Sequence, residues 1–317
     1  MIEVKNLTKR YGPTVAVDNV SFNAKAGEVL GFLGPNGAGK TTTMRVLTCY
    51  LSADEGNATV DGYDVFDQSV EVRKRIGYLP ESAPLYLDMG VIDYLKFIAQ
   101  VRDIPKSQRQ QRTKEVIDIC GLESVIQKDV GELSKGFRQR LGLAQSLIHD
   151  PPILIMDEPT SGLDPNQIIE IRNLIKEIGK EKMIIFSTHI LPEVSATCSR
   201  ILIINNGKIV ANGSPESLAE RAKGGEVVDI TIRGPADEIE SKLQDLNFVN
   251  EFDCVNTVDG LLSYRIASEK GTNAAEELFQ FVVQNGWSLT ELRQESVSLE
   301  DVFRELTGES VNKEVAA

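Results

Sequence analysis

Gly34-Pro35-Asn36-Gly37-Ala38-Gly39-Lys40-Thr41 decides the fold of this chain. It has the spacing G-x-x-x-x-G-K-[ST]. The apolar run Val29-Leu30-Gly31-Phe32-Leu33 precedes it, and Thr42-Thr43-Met44-Arg45-Val46-Leu47 follows. The first flank reads as a buried parallel strand and the second as a helix start. Glycines let the backbone wrap closely around phosphate oxygens and turn its N–H groups inward. The helix start adds partial positive charge at the same place. Lys40 can reach the β- and γ-phosphates, and the Thr41 hydroxyl can ligate Mg²⁺. Residues 34–42 are therefore the candidate nucleotide contacts. A glycine-rich turn with a solvated lysine is the plainer alternative, and it would not require both flanks.

A phosphate loop alone does not choose among kinases, GTPases and ATPases. The next element outward is Ile153-Leu154-Ile155-Met156-Asp157-Glu158. An apolar strand that ends in an acid sets that acid beside the phosphates, at the carboxyl edge of a parallel sheet. Asp157 is suited to hold Mg²⁺, directly or through water. Glu158 can accept a proton from an attacking water. Two further segments stand out. Leu133-Ser134-Lys135-Gly136-Phe137-Arg138-Gln139 opens a helix with Ser134 as N-cap, and Ser161-Gly162-Leu163-Asp164-Pro165 follows the acid pair.

Strand and helix patterns alternate through residues 1–220. Strands are expected at 2–7 and 15–22, at a sheet edge, and at 29–33, 57–60, 75–79, 153–156 and 183–186. Residues 200–205 and 208–212 flank Asn206-Gly207, a strong hairpin turn. Residues of about 88–150 carry helical spacing only and form a helical subdomain within the α/β core. Residues 225–308 repeat a β-α-β-β-α-β order with one more helix at 299–306, the split βαβ pattern of ferredoxin-like folds. Residues 309–317 read as a disordered tail.

The chain has 317 residues and a net charge of −13. Residues 225–317 hold 7 Lys/Arg and 19 Asp/Glu, so nearly all the excess lies there, and a boundary falls near Gly224-Gly225. That region repels polyanions and anionic lipid, which argues against nucleic acid and direct membrane docking. No apolar run approaches the ~18–20 residues that span a bilayer, and no secretory signal is visible. Cys49, Cys120, Cys198 and Cys254 are far apart and read as reduced structural thiols.

Across residues 1–220 these motifs, in their order, resemble the ATP-binding subunits of ABC transporters. The resemblance makes residues 133–139 the signature helix and 161–164 the D-loop. It makes His189 the switch histidine and Tyr11 the aromatic that stacks on adenine. It implies ATP and Mg²⁺ as cofactors and a pair of cassettes, a homodimer or otherwise, that binds two ATPs head to tail. Lys40, Thr41, Asp157, Glu158 and His189 of one chain would then share each nucleotide with Ser134 and Gly136 of the other. A separate integral-membrane permease is implied as partner. The chain would be cytoplasmic, peripheral on the inner face of the membrane through that permease.

Three departures matter. Lys135 and Phe137 stand where the commonest signature has Gly and Gln. In Gly77-Tyr78-Leu79-Pro80-Glu81, similar to the Q-loop, Glu81 replaces the usual Gln. A carboxylate there can still ligate Mg²⁺, so Glu81 joins the candidate metal residues. Residues 299–303 resemble the C-terminal unit of ABC-2 exporters, and residues 84–89 are similar to the gliding-motility subgroup. The alternative is a soluble ABC ATPase acting on ribosomes or nucleic acid. Such proteins usually fuse two cassettes or carry long coiled coils. A phosphate-loop kinase would need neither residues 133–139 nor 161–164.

Overall fold

The computed structural model describes residues 1–221, 226–258, 260–269, 272–295, 303–304 and 306–307. The chain divides into two compact units, Met1–Pro215 and Glu216–Ala317.

The apolar runs of the first unit form one six-stranded sheet. Its members are β3 (Val29–Leu33), β6 (Ile76–Leu79), β7 (Ile153–Asp157), β8 (Met183–Thr188), β9 (Arg200–Asn205) and β10 (Lys208–Gly213), in the order β10-β9-β3-β8-β7-β6. All are parallel except β10, which pairs antiparallel with β9 through the Asn206-Gly207 turn. Every residue of β3, β7 and β8 is buried. Strands covered on both faces need such unbroken apolar sequence. Because the three run parallel, their carboxyl ends share one edge. The register sets Leu33 beside Thr188 and Asp157 beside Ser187. Residues 34, 158 and 189 therefore emerge together.

Strands β1 (Ile2–Tyr11) and β2 (Thr14–Ala24) are longer than the sequence pattern predicts, and they do not edge the central sheet. With β4 (Glu55–Val60) and β5 (Tyr63–Asp64) they make a separate antiparallel sheet, ordered β2-β1-β4-β5. Register shifts interrupt the β1–β2 ladder three times. Ile2, Val4, Leu7, Val20 and Phe22 share one core with Leu30 and Phe32 of β3 and with Met44 and Leu47 of helix α1 (Lys40–Leu47). Phe22 meets Phe32 at 5.5 Å between ring centroids.

Helices α2 (Ser69–Arg75), α3 (Val91–Val101), α4 (Lys106–Cys120) and α5 (Lys135–Leu147) come next. The last three match the helical segments expected between residues 88 and 150. Gly121 ends α4 with φ 61°, which a glycine adopts without strain. Helix α6 (Pro165–Gly179) starts at Asp164, whose carboxylate accepts the Gln167 N–H at 3.0 Å. Helices α2 and α7 (Leu191–Thr197) were not read from the sequence. Each spans only seven residues, too short for a helical period to show.

Helix α8 (Pro215–Arg221) begins at the division between the units. In the second unit, β11 (Glu226–Arg233), β12 (Val249–Val258), β13 (Leu261–Ser268) and β14 (Ser288–Glu295) make an antiparallel sheet ordered β12-β13-β11-β14. Helices α9 (Ala236–Gln244) and α10 (Ala274–Gln284) supply the two crossovers of the split βαβ pattern. Its core joins Val228, Ile230 and Ile232 to Leu243, Tyr264 and Leu278. The helix expected at residues 299–306 falls mainly, and the tail at 309–317 wholly, outside the described residues. Among the described residues, no helix is long and apolar enough to cross a membrane.

Candidate functional site

The loop between β3 and α1 takes its shape from its glycines. Gly37 and Gly39 have φ of 80° and 106°, where a Cβ is strained. A Cβ on Gly39 would also lie 2.4 Å from the Ala16 carbonyl oxygen. A Cβ on Gly34 would lie 2.3 Å from that of Ile204. The loop is thus pressed between the antiparallel sheet and β9, and its other side is free to face a ligand. A cleft of about 410 Å³ opens there. Asn36, Gly37, Gly39, Lys40, Thr41 and Thr42 line it, facing Glu81, Glu158, Ser161 and His189. Gly34, Pro35 and Ala38 are not among the lining residues.

Lys40 is 5% exposed. Its Nζ donates to the carbonyls of Gly34 (2.7 Å) and Pro35 (3.1 Å) and lies 3.3 Å from Glu158 Oε1. An ammonium so placed has its hydrogen bonds met by the loop and by the acid across the cleft. An entering phosphate can take over the contact with Glu158. Thr41 Oγ1 donates to Asp157 Oδ1 at 3.1 Å. Asp157 is 1% exposed, lies behind Thr41 and also accepts from Ser187 Oγ at 2.5 Å. Burial, and then the nearby Asp157 charge, pushes the Tyr78 hydroxyl up to about 12.

A hydroxyl and a carboxylate at this spacing fit Mg²⁺, which takes hard oxygen ligands and keeps several waters. Thr41 and Asp157 are the residues that would hold it. Glu81 lines the same cleft.

Glu158 has φ 47°, left-handed backbone that costs a non-glycine residue about 1–3 kcal/mol. Its N–H donates to both the carbonyl and the hydroxyl of Ser187, at 3.1 Å each, which holds the turn. The turn directs Glu158 into the cleft, where Oε2 meets His189 Nδ1 at 2.9 Å. Strain retained at one carboxylate, beside a lysine and a histidine, suits a group that must handle a proton.

Ser134 and Gly136 stay out of this cleft. The Ser134 hydroxyl caps α5 by accepting the Phe137 N–H at 3.3 Å. Gly136 is buried, and a Cβ there would lie 2.7 Å from the Gln167 side chain. Lys135 reaches over Gly162, so closely that a Cβ on that glycine would meet its Nζ. The start of α5 therefore rests on Gly162 and Gln167 of its own chain. Tyr11, 46% exposed at the end of β1, also lies outside the cleft lining.

Burial raises the Cys49 thiol to about 11 and Cys120 to about 12, and raises Cys198 as well. These three are inert thiols at neutral pH. Sequence reading missed Ser187 and Glu193. Ser187 ties Asp157 to the Glu158 turn, and Glu193 accepts from Thr160 and Thr188. A polar Ser187-Thr188 pair closing an apolar strand is the one signal for Ser187, and nothing in the sequence singles out Glu193.

Residues 17–161 match the ABC transporter family model. A second model, for an AAA domain described as a putative AbiEii toxin of a type IV toxin–antitoxin system, matches residues 128–196. The uncharacterized ABC transporter ATP-binding protein YhcH of Bacillus subtilis is 33% identical over 98% of this chain and 97% of its own. The bacitracin transport ATP-binding protein BcrA of Bacillus licheniformis is 34% identical over 97% of each. The linearmycin resistance ATP-binding protein LnrL of B. subtilis is 30% identical over 98% and 99%. Among solved structures, the ATP-binding cassette MJ0796, dimeric in a post-hydrolysis state with ADP and Pi, superposes with a TM-score of 0.62. It is 25% identical over 68% of this chain and 98% of that one. CbiO1 from Clostridium perfringens, part of the ABC transporter complex CbiONQ, gives a TM-score of 0.64. It is 28% identical over 70% and 94%. With the glycine-rich loop, the Asp157-Glu158 pair and His189 gathered at one sheet edge, and relatives matched over nearly their full length, the chain belongs to the ATP-binding subunits of ABC transporters.

Proposed function

We propose that the chain hydrolyses ATP at a site shared by two cassettes and thereby powers export through a separate membrane permease. The observation that carries this is the split of the machinery. Lys40, Glu158 and His189 meet in one cleft, while Ser134 and Gly136 of the same chain lie outside it. A second cassette turned head to tail would bring its signature helix to the terminal phosphate.

In that site the loop N–H groups and Lys40 hold the phosphates, and Tyr11 stacks on the base. Mg²⁺, held by Thr41 and Asp157 with Glu81 nearby, would neutralise charge on the β- and γ-phosphate oxygens. Glu158 accepts the proton of a water whose oxygen bonds to the γ-phosphorus. The bond to the bridging oxygen breaks, and its electron pair leaves with ADP. His189 holds the Glu158 carboxylate in place through Nδ1. Loss of the γ-phosphate removes what joins the two cassettes, which converts hydrolysis to motion.

Export is supported by the names of the relatives, which include bacitracin transport, linearmycin resistance and Nod factor export proteins. The permease places the chain on the cytoplasmic face of the membrane. The gliding-motility likeness rests on residues 84–89 alone. Residues 225–308 serve as an accessory domain. The ribosome or nucleic-acid alternative has no support from these relatives, and the acidic region at residues 225–317 opposes it.

The test is Glu158→Gln. Turnover falls by on the order of 10²–10⁴ while ATP still binds, as expected for loss of a general base. Wild-type turnover in that variant would remove Glu158 from the reaction.

A further inference from the structure

Behind the Glu158–His189 pair lies a second carboxyl group that the reaction above does not use. Glu193 sits in the first turn of α7 and is 2% exposed. Its Oε1 accepts the Thr160 hydroxyl at 2.6 Å, and its Oε2 accepts the Thr188 hydroxyl at 2.7 Å. Both threonines are buried. Thr160 comes two residues after Glu158, and Thr188 comes immediately before His189. One side chain thus binds the two segments that carry the hydrolytic pair.

Burying a carboxyl group is costly unless hydrogen bonds repay it. No lysine, arginine or histidine pairs with Glu193 among the described residues, so the two hydroxyls supply that compensation. The arrangement needs two acceptor oxygens on one group. Thr188 Oγ1 already accepts the Ile190 N–H at 3.0 Å, which turns its proton toward Glu193. A glutamine offers one acceptor oxygen and would set an NH₂ group against one of the hydroxyls. The geometry is therefore specific to a carboxylic side chain.

We propose that Glu193 is a positioning residue for hydrolysis: it ties the root of the D-loop to the root of the switch histidine, so that Glu158 and His189 hold their 2.9 Å contact. This rests on the ATPase reading above. It adds that the D-loop, which a partner cassette would touch, is mechanically joined to the general base. A shift of residues 161–164 would pull on Thr160, and through Glu193 on Thr188 and His189.

The experiment uses the full chain, with steady-state ATPase and equilibrium ATP binding measured side by side. Glu193→Gln and Thr160→Val are each expected to lower kcat about tenfold with less than about a threefold change in ATP affinity, a split that marks a transition-state effect. Thr160→Val keeps side-chain volume, so it reports on the hydrogen bond even where the Glu193 variant folds poorly. Adding Glu193→Gln to Glu158→Gln should lower kcat no further, because the positioned group is already gone. Wild-type kcat in both folded single variants would overturn the proposal. So would a loss of kcat that only tracks a loss of ATP binding. A wild-type chain that binds no ATP would instead overturn the ATPase reading itself.

Discussion

Helices α1 and α5 both begin where free backbone N–H groups can meet an anion, but only one start is furnished with chemistry. Helix α1 has no side-chain cap. Its first turn is left to a ligand, and Lys40, Thr41, Asp157, Glu158 and His189 surround that place. Helix α5 is capped by its own Ser134 and faces no acid pair. Its first residue, Lys135, lies over Gly162. On the proposed function, the first start supplies one half of a shared site and the second supplies the other. One chain carrying both halves on different faces is what a head-to-tail pair requires.

Changes at the two starts should therefore fail differently. Lys40→Ala removes the charge at α1 and leaves Glu158 with His189 alone. ATP affinity should drop by on the order of 10²-fold or more, since charge-assisted hydrogen bonds contribute roughly 1.5–3 kcal/mol each. Nucleotide-binding titration measures this, and near-normal affinity would place the phosphates elsewhere. Ser134→Arg should leave ATP binding by the single chain near normal while turnover falls on the order of 10²-fold or more, comparable to losing a preorganised oxyanion donor. Mixed with Lys40→Ala, it should regain activity from one intact composite site per heterodimer.

Stability separates the two starts as well. Gly39→Ala forces a strained φ and a clash with backbone, and should cost at least about 1–3 kcal/mol in urea unfolding. Gly136→Ala meets only the movable end of Gln167 and should cost less. Equal losses would mean that the loop relaxes freely, against the packing described.

A smaller effect concerns α5 alone. His149, just past its end, donates from Nε2 to the Ile76 carbonyl at 3.1 Å, while its Nδ1 is buried without a partner. Burial, with Arg102 nearby, lowers its pKa to about 4. The unfolded chain therefore takes up this proton first. The contribution of His149 to stability is full above about pH 6.5 and is lost as pH falls toward about 4. His149→Gln should flatten that part of the stability–pH curve, and an unchanged slope would assign the dependence to other groups.

Much of the first unit was legible because its chemistry is local. Residues 34–41 state the loop, and an apolar strand ending in Asp157-Glu158 states the acid pair. Parallel packing then brings them together without further instruction. What stayed hidden depends on tertiary neighbours. Alternation in residues 2–24 marks strands of an antiparallel edge but not their partners, so their separation from the central sheet could not be seen. Glu193 sits among ordinary helix residues, and its role comes from two threonines at residues 160 and 188. The packing of Gly136 on Gln167 likewise joins positions that sequence spacing does not link. In the second unit, turn residues and alternation predicted the β-α-β-β-α-β order, and the observed strand order agrees with it.

On the proposed function, ATP joins two copies through the α1 start of one and the α5 start of the other. Sedimentation of the Glu158→Gln chain with saturating Mg-ATP tests it most directly. The expected result is a dimer that returns to monomer when Ser134→Arg is added or ADP replaces ATP. A chain that binds ATP fully and stays monomeric at high concentration would contradict it.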